Sequence, residues 1–145
     1  MLEVQFPKAQ FRIKKKEGKD FIFDTIRKKW LVLTDEEWVR QNFVAYLVIT
    51  LHYPSSVIAI EKEIHLNDLK KRFDILVYNQ DHKPWLMVEC KAPSIPLNEE
   101  ALQQLLRYNL SVPVTYLVIS NGNVTMGWEK DSTGITLLQQ LPVWK

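Results

Sequence analysis

The chain has 145 residues, of which 46% are hydrophobic and 25% charged, the proportions of one globular domain, or of one domain with a short arm. Its four glycines (Gly18, Gly122, Gly127, Gly134) cannot write a GxxxxGK[ST] or GxGxxG phosphate loop, which argues against nucleotide-driven motors and dinucleotide enzymes. One cysteine, Cys90, excludes an internal disulfide and a thiolate zinc cluster, and the net charge of +2 hides a split: positions 1–33 hold nine basic and four acidic residues, positions 34–145 ten and thirteen.

Positions 1–33 read as a β-hairpin arm, with the remaining domain expected over 34–145. Phe11-Arg12-Ile13-Lys14 alternates apolar and polar, Lys16-Glu17-Gly18-Lys19 is a turn, and Phe21-Ile22-Phe23 returns. A turn at 27–29 leads into Trp30-Leu31-Val32-Leu33. The arm's positive charge could meet a phosphate backbone, but charge alone favours a solvated face, since basic runs are common on surfaces. The start has no basic segment followed by an apolar run, so no signal peptide is expected. The most apolar stretch, 43–51, is too short to span a bilayer, so a soluble cytoplasmic protein without a membrane partner is expected.

Thr34 opens a helix. Thr34-Asp35-Glu36-Glu37 fits a capping box, with Thr34 as N-cap and Glu37 at the third helical position. Val39, Phe43, Tyr46, Leu47 and Thr50 form its apolar stripe, and Pro54 ends it. Three strands follow, at 57–66, 72–78 and 84–91, the last two joined by the turn Asn79-Gln80-Asp81-His82 as an antiparallel hairpin. A second helix runs over 99–108, with Leu102, Leu105 and Leu106 on its apolar arc. A buried strand at 113–120, the turn Asn121-Gly122-Asn123 and a pairing strand at 124–128 come next. The tail, 135–145, reads as an edge strand or a short helix. The expected fold class is mixed α/β, a central mixed sheet flanked by helices.

The chemistry gathers on the hairpin. Phe73, Ile75 and Val77 are expected on one face of the first strand, with Asp74 and Leu76 on the other. On the second, Glu89 and Lys91 share a face opposite Leu86, Val88 and Cys90. Folding at 79–82 sets Asp74 opposite about Met87, with Glu89 diagonal to it, and a bulge would bring the two carboxylates closer. Two carboxylates and a backbone carbonyl suit one Mg²⁺ or Mn²⁺, which polarises a phosphate oxygen and acidifies a bound water. A lysine beside them orients that water and offsets developing negative charge. The same spacing also describes a wet strand face with a cross-strand ion pair.

Asp74, followed after a hairpin by Glu89-Cys90-Lys91, resembles the D…ExK signature of the PD-(D/E)XK nuclease superfamily, with Phe73 standing where the superfamily's name has proline. More closely, the chain is similar to the N-terminal domain family of type I restriction enzyme R subunits. The matching stretches are LTDEEWVRQ (33–41), IEKEI (60–64), KRFDILVY (71–78), PWLMVECKAP (84–93), QLLRY (104–108) and ISNG (119–122). The resemblance implies a restriction-endonuclease-like αβββαβ core, here with the N-terminal arm added. It implies that Asp74, Glu89 and the backbone carbonyl of Cys90 are metal ligands and that Lys91 is the catalytic lysine. The family's acidic residue on the first helix is Glu37 or its neighbour Glu36, with Glu37 preferred as a further metal-site residue. The family's QxxxY motif falls on Gln104 and Tyr108, which would support the site. Such subunits also carry an ATP-driven motor, for which this length has no room, so a stand-alone relative is expected.

The expectation is therefore a Mg²⁺- or Mn²⁺-dependent endonuclease-like domain acting on DNA, with Lys70, Lys71, Arg72, Arg107 and the arm on phosphates. The alternative is a catalytically silent nucleic-acid-binding or assembly module on the same fold. A third class, a structural domain or one half of a homodimer, rests on the five tryptophans alone. His52, His65 and His82 show no paired-ligand spacing.

Overall fold

Alternating apolar and basic residues form three short strands, β1 (Ile13–Lys16), β2 (Lys19–Asp24) and β3 (Lys29–Val32). In the computed structural model, which describes residues 1–66 and 68–145, they make a separate antiparallel sheet in the order β1-β2-β3. The β2–β3 turn is fixed by Asp24, whose Oδ1 accepts the N–H groups of Ile26 and Arg27, both at 2.8 Å.

Helix α1 (Asp35–Ala45) starts where expected, and Thr34 Oγ1 accepts the Glu37 N–H at 3.0 Å. The reciprocal half of the capping box is not made. The Glu37 carboxylate turns inward and accepts from Arg27, Arg40 and Gln41 instead of the Thr34 N–H. All residues from Val39 to Val44 are buried, more than one stripe can supply. The helix has the large sheet on one side, while Asp24 of the small sheet takes a hydrogen bond from Gln41 at 2.9 Å. Past Ala45 the helix widens into a π turn (Tyr46–Thr50), with the Leu51 N–H donating to the Tyr46 carbonyl. The wider turn rotates Thr50 into solvent and off the expected stripe.

Six strands form the main sheet: β4 (Ile58–Leu66), β5 (Leu69–Tyr78), β6 (Pro84–Cys90), β7 (Tyr116–Ser120), β8 (Thr125–Asp131) and β9 (Gly134–Leu137). They lie in sequence order, and every pair is antiparallel except β6–β7. That one parallel step needs a crossover, supplied by α2 (Glu99–Asn109), capped by Asn98 through the Ala101 N–H at 2.9 Å. The expected mixed sheet with flanking helices is thus the observed architecture, and the tail contributes edge strand β9.

Two apolar layers sandwich the sheet. Val39, Phe43 and Leu47 of α1 pack on Ile75, Val77, Leu86 and Val88. Leu106 of α2 packs with Leu76, Met87, Leu117 and Ile119 on the other face. The C-terminal segment closes the α1 layer, with Trp144 Nε1 donating to the Tyr78 carbonyl at 2.9 Å and the Tyr53 hydroxyl to the Pro142 carbonyl at 2.6 Å. Among the described residues no helix is long and apolar enough to cross a membrane.

Candidate active site

The hairpin of β5 and β6 turns on Asn79, whose Oδ1 accepts the N–H groups of Asp81 and Lys83 at 2.9 and 3.0 Å. Tyr78 faces Pro84, but Val77 faces Leu86, so Trp85 is an extra residue on β6. Beyond this bulge Ile75 faces Val88, and continuing that register by one step would set Glu89 opposite Asp74. Without the extra residue Val88 would oppose Asp74, and Glu89 would point to the other side of the sheet. The ladder ends at Ile75 and Val88, and Asp74 instead reaches the residue next to Glu89, close enough for its charge to act on the Glu89 carboxyl.

The strand alternation is not the one the sequence suggested. Phe73 packs with Leu76 and Met87 on the α2 side, while Ile75 and Val77 pack on the α1 side. Strict alternation breaks at Asp74, since Phe73 and Ile75 lie in different layers. On β4, the residue between the paired Ile60 and Lys62 is Glu61, at φ +51°. At this switch the Asp74 side chain completes the β5–β6 ladder, its Oδ2 accepting the Cys90 N–H at 2.8 Å.

Asp74 Oδ1 accepts from Arg40 Nη2 at 2.9 Å. Arg40 is buried on α1, and its guanidinium also meets Glu37 at 2.7 Å, Glu61 at 3.1 Å and Glu36 at 3.3 Å. Burial works against its charge, but Asp74, Glu37 and Glu61 outweigh burial and raise its pKa. Behind it, Arg27 reaches Glu37 at 3.0 Å and Asp24 at 2.6 Å. Glu37 is thus joined to Asp74 through one shared guanidinium. Glu36, the other acidic option on this helix, meets Arg40 from a more exposed position.

Lys91, just past the end of β6, has its Nζ 3.7 Å from Glu89 Oε1. Burial pushes the Glu89 carboxyl above its usual range and the Asp74 charge adds to it, against the pull of Lys71 and Lys91. Lys71 also sits 4.1 Å from the ring centre of Tyr108, which is 71% exposed. Tyr108 therefore borders the site through Lys71. Gln104 lies exposed on the same helix, one turn earlier. The Cys90 side chain is buried in the α1 layer, as expected, and burial drives its thiol pKa well up.

Asp74, Glu89 and Lys91 are brought together; Glu37 and Tyr108 connect through Arg40 and Lys71. Sequence reasoning missed Arg27, Arg40 and Glu61. A signal existed for Arg40, which lies three residues after Glu37 and next to Val39 on a helix otherwise apolar toward the sheet. Among the described residues no group of three His, Cys, Asp or Glu converges to cage a metal. The donors fit instead a hard divalent cation held by two carboxylates and main-chain oxygen. Each Asp74 oxygen spends one lone pair, on Arg40 or on the Cys90 N–H, and keeps another. A cation would also relieve the Asp74–Glu89 repulsion that helps raise the Glu89 pKa.

Comparison with known proteins agrees with this arrangement of elements. No curated protein shows significant similarity to the chain. The model of the family described as type I restriction enzyme R protein N terminus matches residues 35–142, from the first residue of α1 to beyond β9. The chain belongs to the family of type I restriction enzyme R protein N-terminal domains.

Proposed function

We propose that the domain hydrolyses DNA phosphodiester bonds as a Mg²⁺- or Mn²⁺-dependent endonuclease. Asp74, Glu89 and the Cys90 carbonyl would hold the metal, and Lys91 would act as the catalytic lysine. The observation that carries this reading is that Asp74 Oδ2 accepts the Cys90 N–H at 2.8 Å, between Glu89 and Lys91, with Lys91 Nζ 3.7 Å from Glu89. A divalent cation bound there would polarise a phosphate oxygen and acidify a water.

The chain's own groups do the rest. Lys91 orients the attacking water and offsets the negative charge that grows on the phosphate. Arg40 fixes the Asp74 carboxylate in one orientation, and Glu37 in turn fixes Arg40. Glu37 thus acts on the site through Arg40. Lys71 and Tyr108, with Gln104 on the same helix, form the side from which a DNA backbone approaches, and Lys70, Arg72 and Arg107 add exposed positive charge.

The test is nicking of supercoiled DNA in Mg²⁺ or Mn²⁺. Lys91→Ala is expected to abolish it with the circular dichroism spectrum and Tm unchanged; full activity in that variant would overturn the assignment. The Arg40–Asp74 ion pair favours a second reading, because it already neutralises one of the two carboxylates. On that reading the domain binds nucleic acid, or assembles with partners, without cutting. Salt-sensitive DNA binding with no binding of Mn²⁺ at millimolar concentration would select it.

A further inference from the structure

The three-stranded sheet has two unlike faces. Register places Ile13, Ile22 and Leu31 together, and Ile22 and Asp24 on that face are buried against the body of the protein. On the opposite face stand Arg12, Lys14, Lys16 and Lys19, all exposed. Lys14 faces Phe21, Lys16 faces Lys19, and the Arg12 carbonyl accepts the Phe23 N–H. Three half-buried rings, Phe21, Phe23 and Trp30, lie among these cations. The Arg12 guanidinium is 4.6 Å from the Phe23 ring centre and 5.3 Å from that of Trp30, and Lys14 Nζ is 4.2 Å from Trp30.

No acidic residue falls on this face. Among the described residues none of the four cations is in an ion pair, and the nearby Lys15–Asp20 contact at 4.0 Å belongs to the other face. Arg27 and Arg40, by contrast, are each met by several carboxylates. Four unneutralised cations interleaved with rings are complementary to a polyanion that also offers flat apolar faces.

We propose that this face binds a single strand of nucleic acid, with phosphates on Arg12, Lys14, Lys16 and Lys19 and bases stacked on Trp30 and Phe21. Cations alone would suit a duplex equally well. The rings decide for a single strand, because a duplex keeps its base faces stacked on one another and cannot offer them. Arg12 and Lys14 cover the rings in the free protein, and a base stacking on Trp30 displaces them to the side, where they meet the phosphates. The face lies on a different sheet from Asp74 and Glu89, so the proposal does not rest on cleavage.

The experiment is fluorescence anisotropy of a labelled oligothymidine and of a duplex of equal length, with the full chain, in EDTA. The single strand is expected to bind more tightly, with log affinity falling as log salt rises. Lys16→Glu/Lys19→Glu, at exposed positions, is expected to weaken binding and to flatten the salt slope by about 0.7 per lost phosphate contact. Trp30→Ala is expected to weaken binding about tenfold or more, and Trp30→Phe to restore most of it. Because Trp30→Ala also removes packing from the small sheet, the exposed-lysine variant is the arbiter. Duplex bound as tightly as the single strand, or unchanged affinity in the lysine variant, would overturn the proposal. Because the measurement is made in EDTA, it reads this face whether or not the domain cuts DNA.

Discussion

Arg40 is 3% exposed, yet its guanidinium meets Asp74, Glu37, Glu61 and Glu36. Removing a guanidinium from water is costly, and only the surrounding carboxylates make it tolerable. Even so its Nε has no partner among the described residues. Its loss would strand Asp74 beside Glu89 and leave the half-buried Glu61 with Arg72 and the more distant Arg27. Arg40→Ala is therefore expected to lower the unfolding free energy by about 3–5 kcal/mol. Arg72 makes a shorter contact, 2.7 Å to Glu61, but its side chain is 67% exposed. Arg72→Ala is expected to cost no more than about 1 kcal/mol, because solvent screens the pair. Urea titration of the two variants checks the contrast. Equal losses would mean that burial does not set the worth of these pairs. Arg40 thus acts at once as a fold determinant and as the group that orients a proposed metal ligand.

At the scale of elements, the β2–β3 turn locks the small sheet to α1. Asp24, 1% exposed, takes the N–H groups of Ile26 and Arg27, the Arg27 guanidinium at 2.6 Å and the Gln41 amide at 2.9 Å. Burial pushes its carboxyl up, but the Arg27 backbone, the Arg27 guanidinium and Gln41 hold it below the usual carboxylate range. A depressed folded pKa means stability that is present above the unfolded value, about 3.9, and lost as pH falls through the lower folded value. Asp24→Asn is expected to destabilise by about 2–3 kcal/mol at pH 7, the worth of its charged hydrogen bonds. The deficit should shrink toward zero as the parent protein protonates in acid, as read by denaturant melts across pH. A deficit independent of pH would remove the charge from the explanation. The elements themselves were legible, because period-2 alternation, Thr34, Asn79, Asn98 and the turn at Asn121 each carry a local signal. The register was not, since an extra Trp85 on a strand of apolar residues has no compositional mark, and it is that residue which shifts β6 by one position against β5. The π turn at Tyr46–Thr50 was hidden for the same reason. Asp74, Glu89 and Lys91 could be read from the motif. Their supporting charges could not, because Arg40 and Asp74 are 34 positions apart and Arg27 and Glu37 are 10 apart, so only the fold joins them.

Over the whole molecule, the uneven charge of the sequence resolves into two surfaces. The surplus of positions 1–33 becomes the cationic, aromatic face of the small sheet. The acidic surplus of positions 34–145 includes the carboxylates gathered around Arg40 and at the end of the β5–β6 pair. Glu61, Glu37 and Asp74 share Arg40, whereas Glu89 is met, among the described residues, by Lys91, Lys71 and the charge of Asp74. The folded protein therefore gathers carboxylates around Asp74 and Glu89, a clustering that unfolding would disperse. A divalent cation that settles there binds the native state alone and stabilises it by linkage, by about 2.7 kcal/mol at a hundredfold excess over its Kd. For a chain of this size that corresponds to a rise in Tm of roughly 5–15 °C. Millimolar Mn²⁺ is expected to raise Tm in the parent protein, while NaCl of equal ionic strength does not. The increment, rather than the starting Tm, is the informative quantity in Asp74→Asn and Glu89→Gln. Both substitutions alter baseline stability through Arg40 or through the relief of repulsion, but only loss of the metal ligands removes the response to Mn²⁺. An undiminished increment in both variants would place the cation elsewhere on the molecule and leave the two carboxylates without their proposed role.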